Sequence, residues 1–175
     1  ELAAMKSVKN DYGLDNLQLM VPFCRTPEEG ERVRELLEEH GLGPSSGTDL
    51  FVMVELPSNV IEADRFIEMM ELSGGSIGSN DLVQTVYAVS RDDLEGYQNP
   101  IDARSPAVKS MIREIVRKFN ERGLEIGICG QAPSDFPDEF PPFLIDCGIT
   151  SISVTPDTAI AVRGTVAEAE RRAHS

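Results

Sequence analysis

Short apolar runs alternate along this chain with longer stretches in which apolar positions recur at helical spacing. Residues 1–12 carry Leu2, Met5 and Val8 on one helical face and stop at Gly13. Leu17 to Phe23 is short and apolar, as a buried strand is. Thr26-Pro27 reads as an N-cap followed by proline at the first helical position, with Glu28 and Glu29 at the positive end of the helix dipole. Val33, Leu36 and Leu37 form the apolar stripe of that helix, and Gly41 closes it. After a Gly/Ser-rich loop over 41–47, Leu50 to Leu56 is a second strand of almost unbroken apolar character. A helix follows from Val60 to Leu72. Ser73 to Asp81 holds a short third strand and then a loop, and residues 82–104 are mixed. Ser105-Pro106 opens a long amphipathic helix with Val108, Met111, Ile112, Ile115, Val116 and Phe119 on one face, ended by Gly123. Leu124 to Cys129 is a fourth strand. Residues 136–146 read as helical despite Pro141-Pro142, Thr150 to Val154 as a fifth strand, and Thr155-Pro156-Asp157 as the start of a last helix.

Five βα units behind a leading helix imply an α/β fold with a parallel sheet. Two architectures satisfy the pattern. One is an open doubly wound sheet. The other is part of an eight-strand barrel, which takes about 250 residues when complete. Both place functional residues just past the C-terminal ends of the strands.

Composition narrows the partners. Thirty acidic residues against sixteen basic ones give a net charge of −14, which repels phosphate backbones and anionic membranes, so nucleic acid is not an expected partner. The basic residues are mostly Arg. That balance fits a salt-adapted surface and equally an acidic face in a larger assembly. No apolar run is long enough to span a membrane. Cys24, Cys129 and Cys147 are widely spaced, without a C-x-x-C pair, so a reduced, cytoplasmic setting fits best. The opening Glu1-Leu-Ala-Ala-Met-Lys6 has no signal-peptide order and reads as the inside of a helix, which suggests an excerpt of a longer polypeptide.

The strand ends carry the chemistry. Glu55 follows the second strand and Asp81 the third; each alone reads equally well as a helix cap. Together, at neighbouring strand ends, the two carboxylates are close enough to share one cation, and oxygen ligands in this number suit Mg²⁺. Gly78 and Ser79 offer N–H groups near a helix start, where an anion is favoured. Cys129 stands between Gly127 and Gly130, which let a ligand approach the backbone; the competing reading is a packing cysteine. Cys24 and Cys147 read as packing. His40 and His174 read as exposed, and Arg25 as an anion binder or the partner of a nearby acid.

Five blocks, in order and over essentially the whole chain, resemble one family. They are Met-Val-Pro-Phe-Cys-Arg-Thr (20–26), Val-Glu-Leu-Pro-Ser-Asn (54–59), Ser-Ile-Gly-Ser-Asn-Asp-Leu-Val-Gln (76–84), Ser-Arg-Asp-Asp (90–93) and Gly-Ile-Cys-Gly-Gln-Ala-Pro-Ser-Asp (127–135). In them the chain is similar to the C-terminal PEP/pyruvate-binding domain of the phosphoenolpyruvate-utilising enzymes. That family holds the phosphoenolpyruvate synthases, pyruvate phosphate dikinase and enzyme I of the phosphotransferase system. Gln-Ala-Pro-Ser-Asp resembles the synthases in particular. The resemblance implies a partial (β/α)8 TIM barrel, with residues 1–175 as the C-terminal portion and the five strands matching the fourth to eighth. It implies Mg²⁺ on Glu55 and Asp81, and pyruvate or phosphoenolpyruvate (PEP) against Glu55, Gly78, Ser79, Asn80 and Asp81. It also implies Cys129 as proton donor at the substrate methylene carbon. The implied reaction turns ATP, pyruvate and water into AMP, PEP and phosphate, in gluconeogenesis. Departures from the family pattern are Cys24 for Val, Gly75 for a large apolar residue, Val83 for Thr and Thr155 for Asn.

The family's ATP-binding domain, phosphohistidine domain and first three barrel strands have no counterpart in these residues. The chain alone is therefore expected to hold metal and enolate without turnover, with the phosphohistidine domain of the same protein as its partner. The competing readings are a Mg²⁺-dependent lyase or aldolase of the same barrel superfamily, and a non-catalytic oligomerisation fragment. Two open sheet edges, near Leu19 and Ile152, lead to the expectation of a homodimer or of cover from a longer chain. Val21, Val52, Val54, Ile126, Ile128 and Ile152 are the residues expected to be left partly uncovered.

Overall fold

Strands β1 (Gln18–Val21), β2 (Asp49–Val54), β3 (Gly74–Gly78), β4 (Glu125–Cys129) and β5 (Ser151–Ile152) pair in parallel, in the order in which they occur along the chain. The structure, a computed structural model, describes residues 1–90 and 101–173. Arg91-Asp92-Asp93 of the fourth sequence block, and His174, lie outside the described residues. The strand order decides between the two architectures. A doubly wound sheet reverses direction at a switch point and so carries helices on both faces. Here each crossover steps the same way, and right-handed crossovers that never reverse put their helices on one side. The sheet is an arc of a (β/α)8 barrel.

The helices are α1 (Leu2–Asn10), α2 (Pro27–Glu39), α3 (Pro57–Ile61), α4 (Ala63–Met70), α5 (Ser79–Tyr87), α6 (Pro106–Glu121), α7 (Ala132–Asp135), α8 (Phe140–Cys147) and α9 (Ala159–Ala173). Local chemistry starts α2 and α6 where the sequence indicates. Thr26 caps α2 by accepting the Glu29 N–H at 3.1 Å, with Pro27 in its first turn. Helix α6 buries Val108, Ile112, Ile115, Val116 and Phe119 along one stripe.

Several expectations need correction. The helix expected over 60–72 is two helices, α3 and α4, broken at Glu62, and it begins at Pro57 because proline is pre-set for a first helical turn. The stretch expected as a loop at 78–81 is the end of β3 and the first turn of α5. Gly78 is the N-cap there, and Asp81 lies inside the helix. Strand β5 is shorter than expected, and α9 starts only at Ala159, after a turn. Leu36 is exposed, so the apolar stripe of α2 runs through Val33 and Leu37 without it.

The sheet has two unlike faces. In the register Val54–Ile77–Ile128–Ile152, and two residues earlier in each strand, side chains point to the helices. Val52, Val54, Ile126 and Ile128 are fully buried there, contrary to the expectation that they would be uncovered; Val21 and Ile152 are half-buried. The open, inner face belongs to the alternate residues: Met20, Phe51, Met53, Ser76 and their neighbours. Among the described residues, no helix is long and apolar enough to cross a membrane.

Candidate functional site

The inner row runs upward along β2, β3 and β4 to three adjacent positions. Gly78 pairs with Cys129 in the sheet register, and Glu55 follows Val54, which pairs with Ile77. Glu55, Gly78 and Cys129 therefore stand side by side on the inner face, at the C-terminal strand ends. Gly78 has to be glycine: a Cβ there would lie 2.7 Å from Glu55 Cγ and 3.1 Å from Glu55 Oε1. The Glu55 side chain thus lies across Gly78.

Glu55 is held at every polar atom of its backbone and at one carboxylate oxygen. Its N–H donates to Asn59 Oδ1 at 3.1 Å, and its carbonyl accepts from Thr85 Oγ1 at 2.7 Å. Its Oε2 accepts the Phe23 N–H at 3.2 Å. Burial raises the Glu55 carboxyl above its ordinary range; the Phe23 N–H draws it back, and the negative charge of Asp81 adds to the rise. Asp81 sits in the first turn of α5, where Gln84 Nε2 donates to its Oδ1 at 3.0 Å. Among the described residues, neither carboxylate meets a Lys or Arg; their contacts are N–H and amide donors and each other's field. Two hard oxygen donors of like charge, one of them buried and without a cationic side chain, fit a hydrated divalent cation such as Mg²⁺.

Ser79 and Asn80 bind the neighbouring strand end. Ser79 is fully buried, and its Oγ donates to the Cys129 carbonyl at 3.2 Å. Asn80 Oδ1 accepts the Gln131 N–H at 3.5 Å. Gly130 adopts a φ of +112°, and a Cβ there would collide with Ser79 Oγ, so this glycine lets the chain after Cys129 close down on α5. A cleft of about 110 Å³ opens beside Asn80, lined also by Val83, Ala103, Gln131, Ala132 and Phe136. Cys129 is half-buried at the mouth of the inner face.

The structure places Glu55, Gly78, Ser79, Asn80, Asp81 and Cys129 in one neighbourhood. It leaves out the others. Cys24 is buried and its thiol is pushed up to about 11, by burial first and by Glu29 second. Cys147 is half-buried with its thiol raised by burial, Arg25 pairs with Glu29, and His40 ends α2. Asn59, Thr85 and Phe23 escaped the sequence reading. Asn59 had a signal, since an amide at the third position of a helix can accept the cap N–H. Thr85 and Phe23 had none, because their partner lies about thirty residues away in sequence.

Compared with known proteins, residues 1–171 match the family model described as PEP-utilising enzyme, PEP-binding domain. The chain is 46% identical over 173 residues to the phosphoenolpyruvate synthase of Aquifex aeolicus, covering 98% of this chain and 20% of that protein. It is 44% identical over 172 residues to the synthase of Synechocystis sp., again over 98% of this chain and 20% of the relative. It thus spans about a fifth of the length of these relatives. Among solved structures, a HpcH/HpaI aldolase from Desulfitobacterium hafniense matches with a TM-score of 0.57 at 12% identity, over 98% of this chain and 68% of that one. A HpcH/HpaI aldolase/citrate lyase family protein from Burkholderia cenocepacia matches with a TM-score of 0.59 at 18% identity, over 100% of this chain and 70% of that one. At those identities the likeness is one of fold.

Proposed function

The chain belongs to the family of PEP-utilising enzymes, as their PEP-binding domain, and from that premise we propose that it is the pyruvate- and PEP-binding part of a phosphoenolpyruvate synthase. In the complete protein, ATP, pyruvate and water give AMP, PEP and phosphate. Residues 1–175 supply strands four to eight of the barrel. The other domains supply the phosphohistidine that donates to the enolate oxygen of pyruvate. The setting is the cytoplasm and gluconeogenesis, and the open sheet edges are covered by the rest of the protein or by a second copy in a homodimer.

The observation that carries this reading is the single inner row Glu55–Gly78–Cys129, with Asp81 one helical turn from Gly78. Glu55 and Asp81 would hold Mg²⁺. Bound there, the ion supplies positive charge beside a developing enolate oxygen. The N–H groups opening α5 suit the substrate carboxylate, and Gly78 leaves room for it beside Glu55. Cys129 works at the carbon: toward PEP its sulfur takes a proton from the pyruvate methyl group, and in reverse it returns that proton. The half-buried position of Cys129, on the same face as Glu55, suits a group that meets substrate on one side and protein on the other.

The test uses the complete protein. Cys129→Ala is expected to stop exchange of pyruvate methyl protons with solvent while leaving phosphorylation of the histidine by ATP intact. Methyl exchange at the wild-type rate would refute the role of Cys129.

A further inference from the structure

Phe23 has a backbone that nothing in its own segment explains. Its φ is +47°, in the left-handed region that side chains disfavour. The other non-glycine residues with positive φ among those described, Glu71 and Ala88, are helix C-caps, where that conformation is common. Phe23 ends no helix. In that conformation its N–H donates to Glu55 Oε2, at 3.2 Å.

Asn59 holds the adjoining peptide. It is 2% exposed, and its side chain spends both functions on backbone. Oδ1 accepts the Glu55 N–H at 3.1 Å and the Leu56 N–H at 3.0 Å, while Nδ2 donates to the Cys24 carbonyl at 2.7 Å. An amide carries its acceptor and its donor on separate atoms of one short stem, so Oδ1 can take two N–H groups while Nδ2 reaches the carbonyl on the other side. The loop after β1 and the residue after β2 are thereby clamped to each other through one buried side chain.

We propose that Asn59 is a positioning residue: its hydrogen bond to the Cys24 carbonyl holds Phe23 in the left-handed region, which keeps the Phe23 N–H on the Glu55 carboxylate and sets that carboxylate for the cation. This rests on the reading of Glu55 as a metal-holding residue. Without the clamp, Phe23 relaxes to negative φ, its N–H leaves Glu55, and the carboxylate swings free. Groups that orient a metal-binding side chain from behind contribute about 10–100-fold to metal affinity.

The test uses the complete protein without nucleotide and has two readouts. One is hydrogen–deuterium exchange of the Phe23 amide, which needs no metal. The other is Mn²⁺ affinity by electron paramagnetic resonance, with Glu55→Gln as the reference that defines the signal of this site. Asn59→Ala is expected to speed exchange at Phe23 at least about tenfold and to weaken Mn²⁺ about 10–100-fold. Adding Phe23→Gly to that variant is expected to restore affinity to within a few-fold, because glycine takes positive φ freely. A helix-capping role alone predicts no such rescue. Should Asn59→Ala fail to fold, Phe23→Pro carries the test, since proline offers neither the N–H nor a positive φ; Mn²⁺ affinity should fall to the same extent. Unchanged exchange in Asn59→Ala overturns the clamp. Faster exchange with unchanged Mn²⁺ affinity, or unchanged affinity in Phe23→Pro, overturns the positioning role. Full Mn²⁺ affinity in Glu55→Gln overturns the metal reading itself and the positioning role with it.

Discussion

Gly74 and Gly75, neighbours in β3, each lie under a phenyl ring, but from opposite faces of the sheet. Phe119 of α6 covers Gly75 on the helix side, and Phe51 of β2 leans over Gly74 on the inner side. The first ring is 1% exposed; the second is only half-buried. Phe119 belongs to the buried core together with Ile112, Ile115, Val116 and Ile126. Around Phe51 the face carries Met20, Met53 and Ser76, then Glu55 and Cys129 at its upper rim. The helix side is where this chain completes its own core. The inner side carries the candidate site residues, and Met20 and Phe51 on it are left partly exposed. At Gly75 the space a Cβ would take is filled by the Phe119 ring, whose Cε1 would lie 3.0 Å from it.

The largest expected difference is between the two rings. Phe119→Ala should cost about 3–5 kcal/mol, because it leaves a cavity that the surrounding helices cannot close. Phe51→Ala should cost less than half of that, since its ring already meets solvent. Urea midpoints of the two variants measure this; equal losses would mean that the inner face is as firmly packed as the outer one.

The glycines reverse the order. A Cβ on Gly74 would lie 2.8 Å from the Glu125 carbonyl oxygen, which belongs to the β3–β4 hydrogen-bond ladder and cannot step aside. On Gly75 the obstacle is the Phe119 ring at 3.0 Å, and a small ring shift relieves it. Gly74→Ala is therefore expected to lose about 1–3 kcal/mol and Gly75→Ala about 1 kcal/mol or less. Thermal unfolding of the pair reads this difference. The opposite ranking would show that the outer packing is the stiffer constraint.

The smallest effect separates two thiols. Cys24, buried on the helix side, has its thiol pushed up to about 11, so at pH 8 only about one molecule in a thousand carries the reactive thiolate. Its alkylation should stay slow and rise about tenfold per pH unit up to about 11. The fold favours the neutral thiol, so the stability this group contributes is complete below pH 9.0 and is lost as pH climbs toward about 11. Cys129, on the open side, should be the first labelled, as mass spectrometry of iodoacetamide-treated protein would show. Labelling of Cys24 ahead of Cys129 at pH 8 would break the distinction between the two faces.

Much of this molecule is legible in its amino-acid order. The alternation of strand and helix, the helix starts at Thr26-Pro27 and Ser105-Pro106, and the placement of Glu55 and Cys129 at strand ends all follow from local periodicity and chain topology. Other features were decided only by the tertiary structure. An unbroken apolar run such as Leu50 to Leu56 has no phase, so the pattern alone does not say whether Val52 or Phe51 faces the helices. The neighbouring strands and helices settle it, and they bury Val52 and Val54. The arc of a barrel, rather than an open doubly wound sheet, likewise depends on which strand pairs with which. The hold on Glu55 depends on Phe23 and Thr85, and the clamp on the loop after β1 depends on Asn59. These hydrogen bonds join residues 30 to 35 positions apart, and no periodicity reaches that far. Hydrophobic pattern is a property of neighbours along the chain, whereas the orientation of a functional carboxylate is a property of neighbours in space.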